Sequence, residues 1–139
     1  MIILDTNVLS ELMKASPDAS VVRWTSTQSP SSLYITSITQ AEILHGILSL
    51  PAGKRRNAIR AAAEAMFSGE FEGRILPLDS AATGAYAGIA AERRRAGRPI
   101  SQFDAQIAAI ALYSRAAVAT RNVDDFGGCG LQVINPWDE

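Results

Sequence analysis

Short apolar runs alternate with longer amphipathic stretches along the whole chain. Residues 1–4 are apolar and stop at Asp5-Thr6-Asn7, which reads as a buried strand passing into a helix over 8–13. A second helix is predicted over 19–27. The β-branched and aromatic run Leu33-Tyr34-Ile35-Thr36 predicts a second strand. Helical spacing then predicts a helix from about 39 to 50, stopped before Pro51-Ala52-Gly53, and another over 54–67 with its charges on one side. Residues 74–78 are a third strand candidate. A helix rich in small residues follows over 81–95, stopped by Gly97-Arg98-Pro99, and another helix runs over 101–114. Segments 117–120 and 131–134 read as two more short strands. Strands alternating with helices predict an α/β layer fold with a mainly parallel sheet. Ligands of such sheets bind outside the carboxyl ends of the strands, where strand order reverses.

The chain has 139 residues, which fits a single domain over 1–139 able to bury a core without staples. Hydrophobic residues make up 47% and charged residues 19%, the profile of a folded domain and not a disordered tail. Cys129 is the only cysteine, so neither an intrachain disulfide nor a cysteine-based zinc site is expected. The first residues carry no basic leader, and no run of about 18 apolar residues occurs. A cytoplasmic protein without membrane contact is therefore expected. A net charge of −1 argues against a protein that coats nucleic acid indiscriminately. The basic residues nevertheless cluster, at Lys54, Arg55, Arg56 and Arg60 and again at Arg93, Arg94, Arg95 and Arg98. Solvated helix faces account for both clusters; a phosphate-contacting rim needs independent grounds for a nuclease site.

Three acids fall at strand exits or helix starts. Asp5 follows the first strand, where a helix N-cap and a metal ligand explain an aspartate equally well. In Thr39-Gln40-Ala41-Glu42 the spacing matches a capping box, and in Ser101-Gln102-Phe103-Asp104 the aspartate also sits where it would cap. Each taken singly has that plain explanation. As a set, they occupy positions that an α/β sheet can bring to one edge. Carboxylates crowded there repel one another, and a divalent cation relieves the repulsion. With only oxygen donors nearby, the favoured ion is Mg²⁺, with Mn²⁺ as a substitute. That donor set suits phosphodiester hydrolysis by metal-activated water, with no protein nucleophile.

At these residues the chain closely resembles the PIN-domain toxins of the VapC type, in particular the FitB branch. The likeness runs through Ile-Leu-Asp-Thr-Asn-Val-Leu-Ser-Glu at 3–11, Ser-Ile-Thr-Gln-Ala-Glu-Ile-Leu-His-Gly at 37–46, Arg-Ile-Leu-Pro-Leu-Asp at 74–79, Ala-Thr-Arg-Asn at 119–122 and Asn-Pro-Trp at 135–137. It implies a three-layer α/β/α fold, an acidic Mg²⁺ site, endonucleolytic RNA cleavage and a homodimer. It also implies inhibition by a cognate antitoxin of the VapB or FitA kind, docked in or near the active site, with operator DNA bound only through that antitoxin. Asp5, Glu42 and Asp104 match the family's acids, and Thr6 and Thr120 match positions often polar beside the metal. Asn122 departs from the pattern, because the family commonly has aspartate there. Its amide offers a carbonyl oxygen but no charge, so one ion is expected to bind well and a second is in question. Asp124 or Asp125 is a possible substitute, though loop capping suits either better.

His45 lies three residues after Glu42, but a single Glu-x-x-His is far from a di-iron set, and a packed or interface role is expected. No glycine-rich phosphate loop and no Ser-His-Asp arrangement is indicated. Gly127, Gly128 and Gly130 around Cys129 read as a flexible turn. Trp24 and Trp137 read as core or interface before base-stacking groups. Two functions of different class follow. One is a metal-dependent endoribonuclease toxin held silent by its antitoxin. The alternative is a nuclease-weak dimeric partner that acts mainly with the antitoxin in operator binding and autoregulation. A DNA-directed nuclease is a third, less favoured reading.

Overall fold

Residues 1–139 are described by a computed structural model. Its strands are β1 (Ile2–Leu4), β2 (Leu33–Thr36), β3 (Ile75–Leu76), β4 (Ala117–Ala119) and β5 (Val133–Ile134). The helices are α1 (Thr6–Leu12), α2 (Ala19–Ser26), α3 (Ser37–Leu48), α4 (Lys54–Ser68), α5 (Thr83–Arg95) and α6 (Gln102–Ser114). The strands form one sheet in the order β3-β2-β1-β4-β5. Every pairing is parallel: Ile2 lies opposite Leu33 on one side of β1 and opposite Ala117 on the other.

Side-chain alternation along the strands divides the interior into two cores, one on each face of the sheet. Leu4, Leu33, Ile35 and Ala119 face a cluster with Val8 and Leu9 of α1, Val21 and Trp24 of α2, Ile43 and Ile47 of α3, and Ala63 and Phe67 of α4. Ile3 and Val118 face the opposite cluster, built from Ile89 of α5, residues 107–111 of α6, Phe126 and Cys129. Helices α1–α4, the sheet and helices α5–α6 are thus the three layers expected. Each fully buried Leu, Ile or Val in them contributes roughly 1.5–3 kcal/mol. The two faces read differently in sequence because α6 is buried nearly all round, through Ala105, Ile107, Ala108, Ala109, Ile110 and Ala111, whereas α4 buries only Ala63 and Phe67.

Several boundaries move, each for a local reason. Helix α1 begins at Thr6, two residues ahead of expectation, because Asp5 closes its first turn directly. Helix α3 begins at Ser37, since Thr36 is its N-cap and accepts the Thr39 N–H at 3.1 Å. Glu42 therefore lies in the second turn, and the expected capping box does not form. Strand β3 is only two residues long because Pro77 follows it and has no N–H for the ladder. Asp79 caps a 3₁₀ turn at Ser80–Ala82 that leads into α5 at Thr83. Helix α6 ends on Arg115 in the left-handed region, at φ 55°.

The second basic cluster needs correction as well. Arg93 is buried, not solvated: its guanidinium donates to the Arg98 carbonyl at 2.7 Å, the Asp125 carbonyl at 2.8 Å and the Gly127 carbonyl at 3.1 Å. The glycine turn around the buried Cys129 is consequently pinned to α5, where a flexible turn was expected. No helix is long and apolar enough to cross a membrane.

Candidate active site

Strand order reverses at β1, which has β2 on one side and β4 on the other. The crevice beyond the carboxyl ends of β1 and β4 is where an open parallel sheet takes ligands. Asp5 and Thr120, the residues that leave these two strands, meet there. The Asp5 N–H donates to the Ala119 carbonyl at 2.9 Å, extending the β1–β4 pairing by one step.

Three donors converge on the Asp5 carboxylate. Oδ1 accepts the Thr6 N–H at 2.8 Å, and Oδ2 accepts the Thr120 hydroxyl at 2.7 Å and the Asn7 side-chain amide at 3.2 Å. An ordinary N-cap takes the N–H of the second or third helical residue. Asp5 takes only that of the first, so capping explains one of its three bonds. Burial pushes its pKa up to about 6; the Thr120 and Thr6 hydrogen bonds oppose this, and the charges of Asp104 and Glu42 add to it.

Glu42 reaches the crevice from α3. Its Oε1 accepts the Thr6 hydroxyl at 2.8 Å, while Thr6 Oγ1 lies 2.9 Å from Thr39 Oγ1. A hydroxyl has one proton to give. Because Thr6 gives its own to Glu42, the fully buried Thr39 donates to Thr6, forming a short relay that aims the carboxylate. Asp104 arrives in the first turn of α6, with its N–H donating to Ser101 Oγ at 3.1 Å. Its carboxyl is held above the usual range by burial; the Ser101 hydroxyl counters this, the Asp125 charge adds to it, and Arg93 pulls it back.

Asp5, Glu42, Asp104 and Asn122 line one open cavity of about 470 Å³, shared with Thr6, Asn7, Glu11, Lys14, Arg121 and Trp137. No trio of acidic, histidine or cysteine side chains closes into a ready metal cage. The acids line the cavity from the end of β1, from α3 and from α6, and no hydrogen bond joins them. That spacing, with donors that are all oxygen, fits Mg²⁺, which keeps several of its waters and uses one or two carboxylates directly. It does not suit zinc, whose sites favour nitrogen and sulfur donors.

Asn122 stands at the rim, its N–H donating to Thr120 Oγ1 at 3.1 Å. Asp124 and Asp125 do not line this cavity, although the Asp125 charge is felt at Asp104. They line a neighbouring hollow with Arg121, Asn122 and Asp138, while their backbone carbonyls serve Arg98 and Arg93. His45 is exposed, in a small hollow with Phe103 that also touches Glu42, and it does not line the acids' shared cavity. Trp24 is core, as expected.

Sequence reasoning missed the cationic side of the cavity. Arg121 stacks over Trp137, with its guanidinium carbon 5.0 Å from the ring centroid. Lys14 pairs at 2.8 Å with Glu11, which also accepts the Asp18 N–H at 3.0 Å. The Lys14 and Asp18 hydrogen bonds hold the Glu11 carboxyl below its usual range. The spacing of Glu11 and Lys14 on one helical turn was a usable signal; nothing local links Arg121 to Trp137.

Comparison with known proteins places this geometry. A family model described as "PIN domain" matches residues 2–127. The chain is 42% identical to the VapC ribonuclease Y4jK of Sinorhizobium fredii, over 99% of both proteins. It is 44% identical to the plasmid stability protein StbB of Pseudomonas syringae pv. tomato, also over 99% of both. In structure it matches the crystal structure of FitAcB from Neisseria gonorrhoeae with a TM-score of 0.94, at 36% identity and with both chains fully covered. A structure of FitAB bound to an IR36 DNA fragment matches with a TM-score of 0.93, covering 99% of this chain and 96% of the other.

Proposed function

The chain belongs to the PIN-domain family, and from that premise we propose that it is a divalent-metal-dependent endoribonuclease, the toxin of a toxin–antitoxin pair. The observation that carries this reading is the convergence of Asp5, Glu42 and Asp104 on one cavity at the reversal of strand order. Asp5, Glu42 and Asp104 would hold the ion, with the Asn122 carbonyl oxygen as an additional neutral donor. When bound, Mg²⁺ supplies a Lewis acid that activates water and neutralises charge on the attacked phosphate.

The chain's own residues have separate tasks. Thr120, Thr6 and Asn7 fix the Asp5 carboxylate; Thr39 and Thr6 fix that of Glu42. Ser10 is the one serine lining the cavity, and its hydroxyl hydrogen-bonds to no base that would activate it, so water is the nucleophile in this reading. Burial and mutual repulsion of the acids prepare the cavity for positive charge.

An antitoxin segment has a surface to meet. Beside the acids, Met13, Ile43, Ile47 and Leu50 line an apolar groove of about 240 Å³ that shares Thr6 and Glu42 with the cavity. A chain docked there would cover the acids. We assign that role to a partner of the FitA or VapB kind, which would also carry the complex to operator DNA, and we expect the toxin to be a homodimer. The neutral Asn122 favours one alternative: a weak nuclease whose main role is in the complex.

Purified protein incubated with single-stranded and structured RNA, in Mg²⁺ or in EDTA, tests the proposal. Cleavage in Mg²⁺ that disappears in EDTA and in Asp5→Ala supports it. Cleavage that persists in EDTA or in Asp5→Ala sinks the mechanism. Absence of cleavage with every divalent ion, alongside a tight antitoxin complex, favours the alternative.

A further inference from the structure

Arg121 has unused binding capacity. Its backbone is tied down, since its N–H donates to Asn7 Oδ1 at 3.2 Å beside the acids. Its guanidinium, by contrast, enters none of the chain's hydrogen bonds or ion pairs and rests only on the Trp137 ring. The backbone under the ring is tied down: the main-chain N–H of Trp137 donates to Asn135 Oδ1 at 3.0 Å, and that of Asp138 donates to the Asn135 carbonyl at 3.1 Å. Trp137 also packs against the core that holds α1–α4. A flat, exposed cation is thus held on an aromatic base packed against the core, lining both the acidic cavity and the neighbouring hollow with its donors unpaired.

We propose that the Arg121–Trp137 stack is the nucleotide-binding wall of the active site, where a single-stranded RNA base next to the scissile phosphate stacks on the guanidinium. The proposal rests on the ribonuclease reading and adds the form of its substrate. Unstacked bases bind on aromatic and guanidinium planes, and such stacking tolerates any sequence because every base has a π-face. A duplex cannot offer a splayed base, so single-stranded RNA is the preferred substrate. The wall suits RNA better than a protein partner because Trp137 is the only apolar residue lining this cavity, whereas the apolar surface a peptide needs lies in the separate groove of Met13, Ile43, Ile47 and Leu50.

The test uses full-length chains carrying Asp5→Asn, which prevents cleavage during measurement, and a single-stranded oligoribonucleotide of mixed sequence. Binding should quench tryptophan emission, because Trp137 lies at the site and Trp24 is buried in the core. Arg121→Lys keeps the charge but removes the stacking plane. It should weaken binding by about tenfold or more while leaving the slope of affinity against salt unchanged. Trp137→Ala, which lacks the reporter ring and is followed by fluorescence anisotropy of a labelled oligoribonucleotide, should weaken binding similarly. Equal affinity of Arg121→Lys and its parent overturns the proposal. So does unchanged RNA binding combined with lost antitoxin affinity, which would assign the wall to the protein partner. RNA cleavage by the chain with Asp5 intact is scored apart; its absence defeats the ribonuclease reading and leaves the binding result to stand or fall alone.

Discussion

The Thr120 hydroxyl donates to Asp5 Oδ2 at 2.7 Å across a separation of 115 residues, and both side chains are buried. This bond joins the end of β4 to the end of β1 and also orients the carboxylate. Thr120→Val keeps the shape and removes the donor. A hydrogen bond to a charged group is worth roughly 1.5–3 kcal/mol, so a loss of that size is expected at neutral pH. Asp5 would then titrate higher still, and RNA cleavage should fall at pH 7 and recover partly as pH rises. Denaturant unfolding and a pH–rate profile measure the two effects.

Stability should depend on pH through Asp5 itself. Its folded pKa, about 6, lies above the ordinary 3.8, so the folded chain holds this proton more tightly than the unfolded chain does. The stability linked to that proton is fully present below pH 3.8 and is lost as pH rises through 6, a deficit of about 3 kcal/mol at neutral pH. Asp5→Asn should therefore stabilise the metal-free protein at pH 7.5 and make little difference at pH 4. Added Mg²⁺ should raise the melting temperature of the wild type at pH 7.5, with a much smaller effect in the variant. Thermal melts across pH, with and without Mg²⁺, decide it; an equal response of the two proteins to Mg²⁺ counts against Asp5 as a ligand.

Asn122→Asp places a fourth acid on the rim of the cavity. Extra negative charge beside a divalent ion should lower the half-saturating Mg²⁺ concentration roughly tenfold and raise the cleavage rate. Without metal the same change should destabilise the protein at neutral pH. Cleavage assays over a Mg²⁺ titration provide the readout.

Arg93→Ala removes the donors to the Arg98, Asp125 and Gly127 carbonyls. With those acceptors left unserved, the expected cost is about 3 kcal/mol, measured by urea unfolding. The neighbouring, exposed Arg94→Ala should stay within about 0.5 kcal/mol of wild type.

Arg115 ends α6 with a positive φ that glycine adopts without strain. Arg115→Gly should gain up to about 1 kcal/mol, seen as a higher melting temperature with unchanged RNA cleavage.

Much of this was legible in the residues themselves. Apolar runs such as Ile3-Leu4 and Leu33–Ile35 mark strands because burial on both faces leaves them no charged positions. The acids were legible because strand exits and helix starts are few and an α/β sheet gathers them at one edge. Contacts between distant segments carried no local mark. A run of four arginines within 93–98 looks solvated, yet Arg93 turns inward because carbonyls of the 125–127 turn wait for it. Glu42 looked like a cap because Thr39 precedes it by three; Thr36, one turn earlier, had already taken that task. Arg121 and Trp137 gave no spacing signal, since only the β4–β5 pairing brings them together.

The strand order has a further consequence for a cell that makes this protein. Asp5 is synthesised well ahead of β4, the strand that completes its surroundings, which begins only at Ala117. On the proposed function, the acidic cavity is therefore assembled only once synthesis has passed β4 and supplied Thr120. On that reading a chain broken off before Ala117 would be born disarmed, and a neutralising partner made beforehand has the interval up to β4 in which to be waiting.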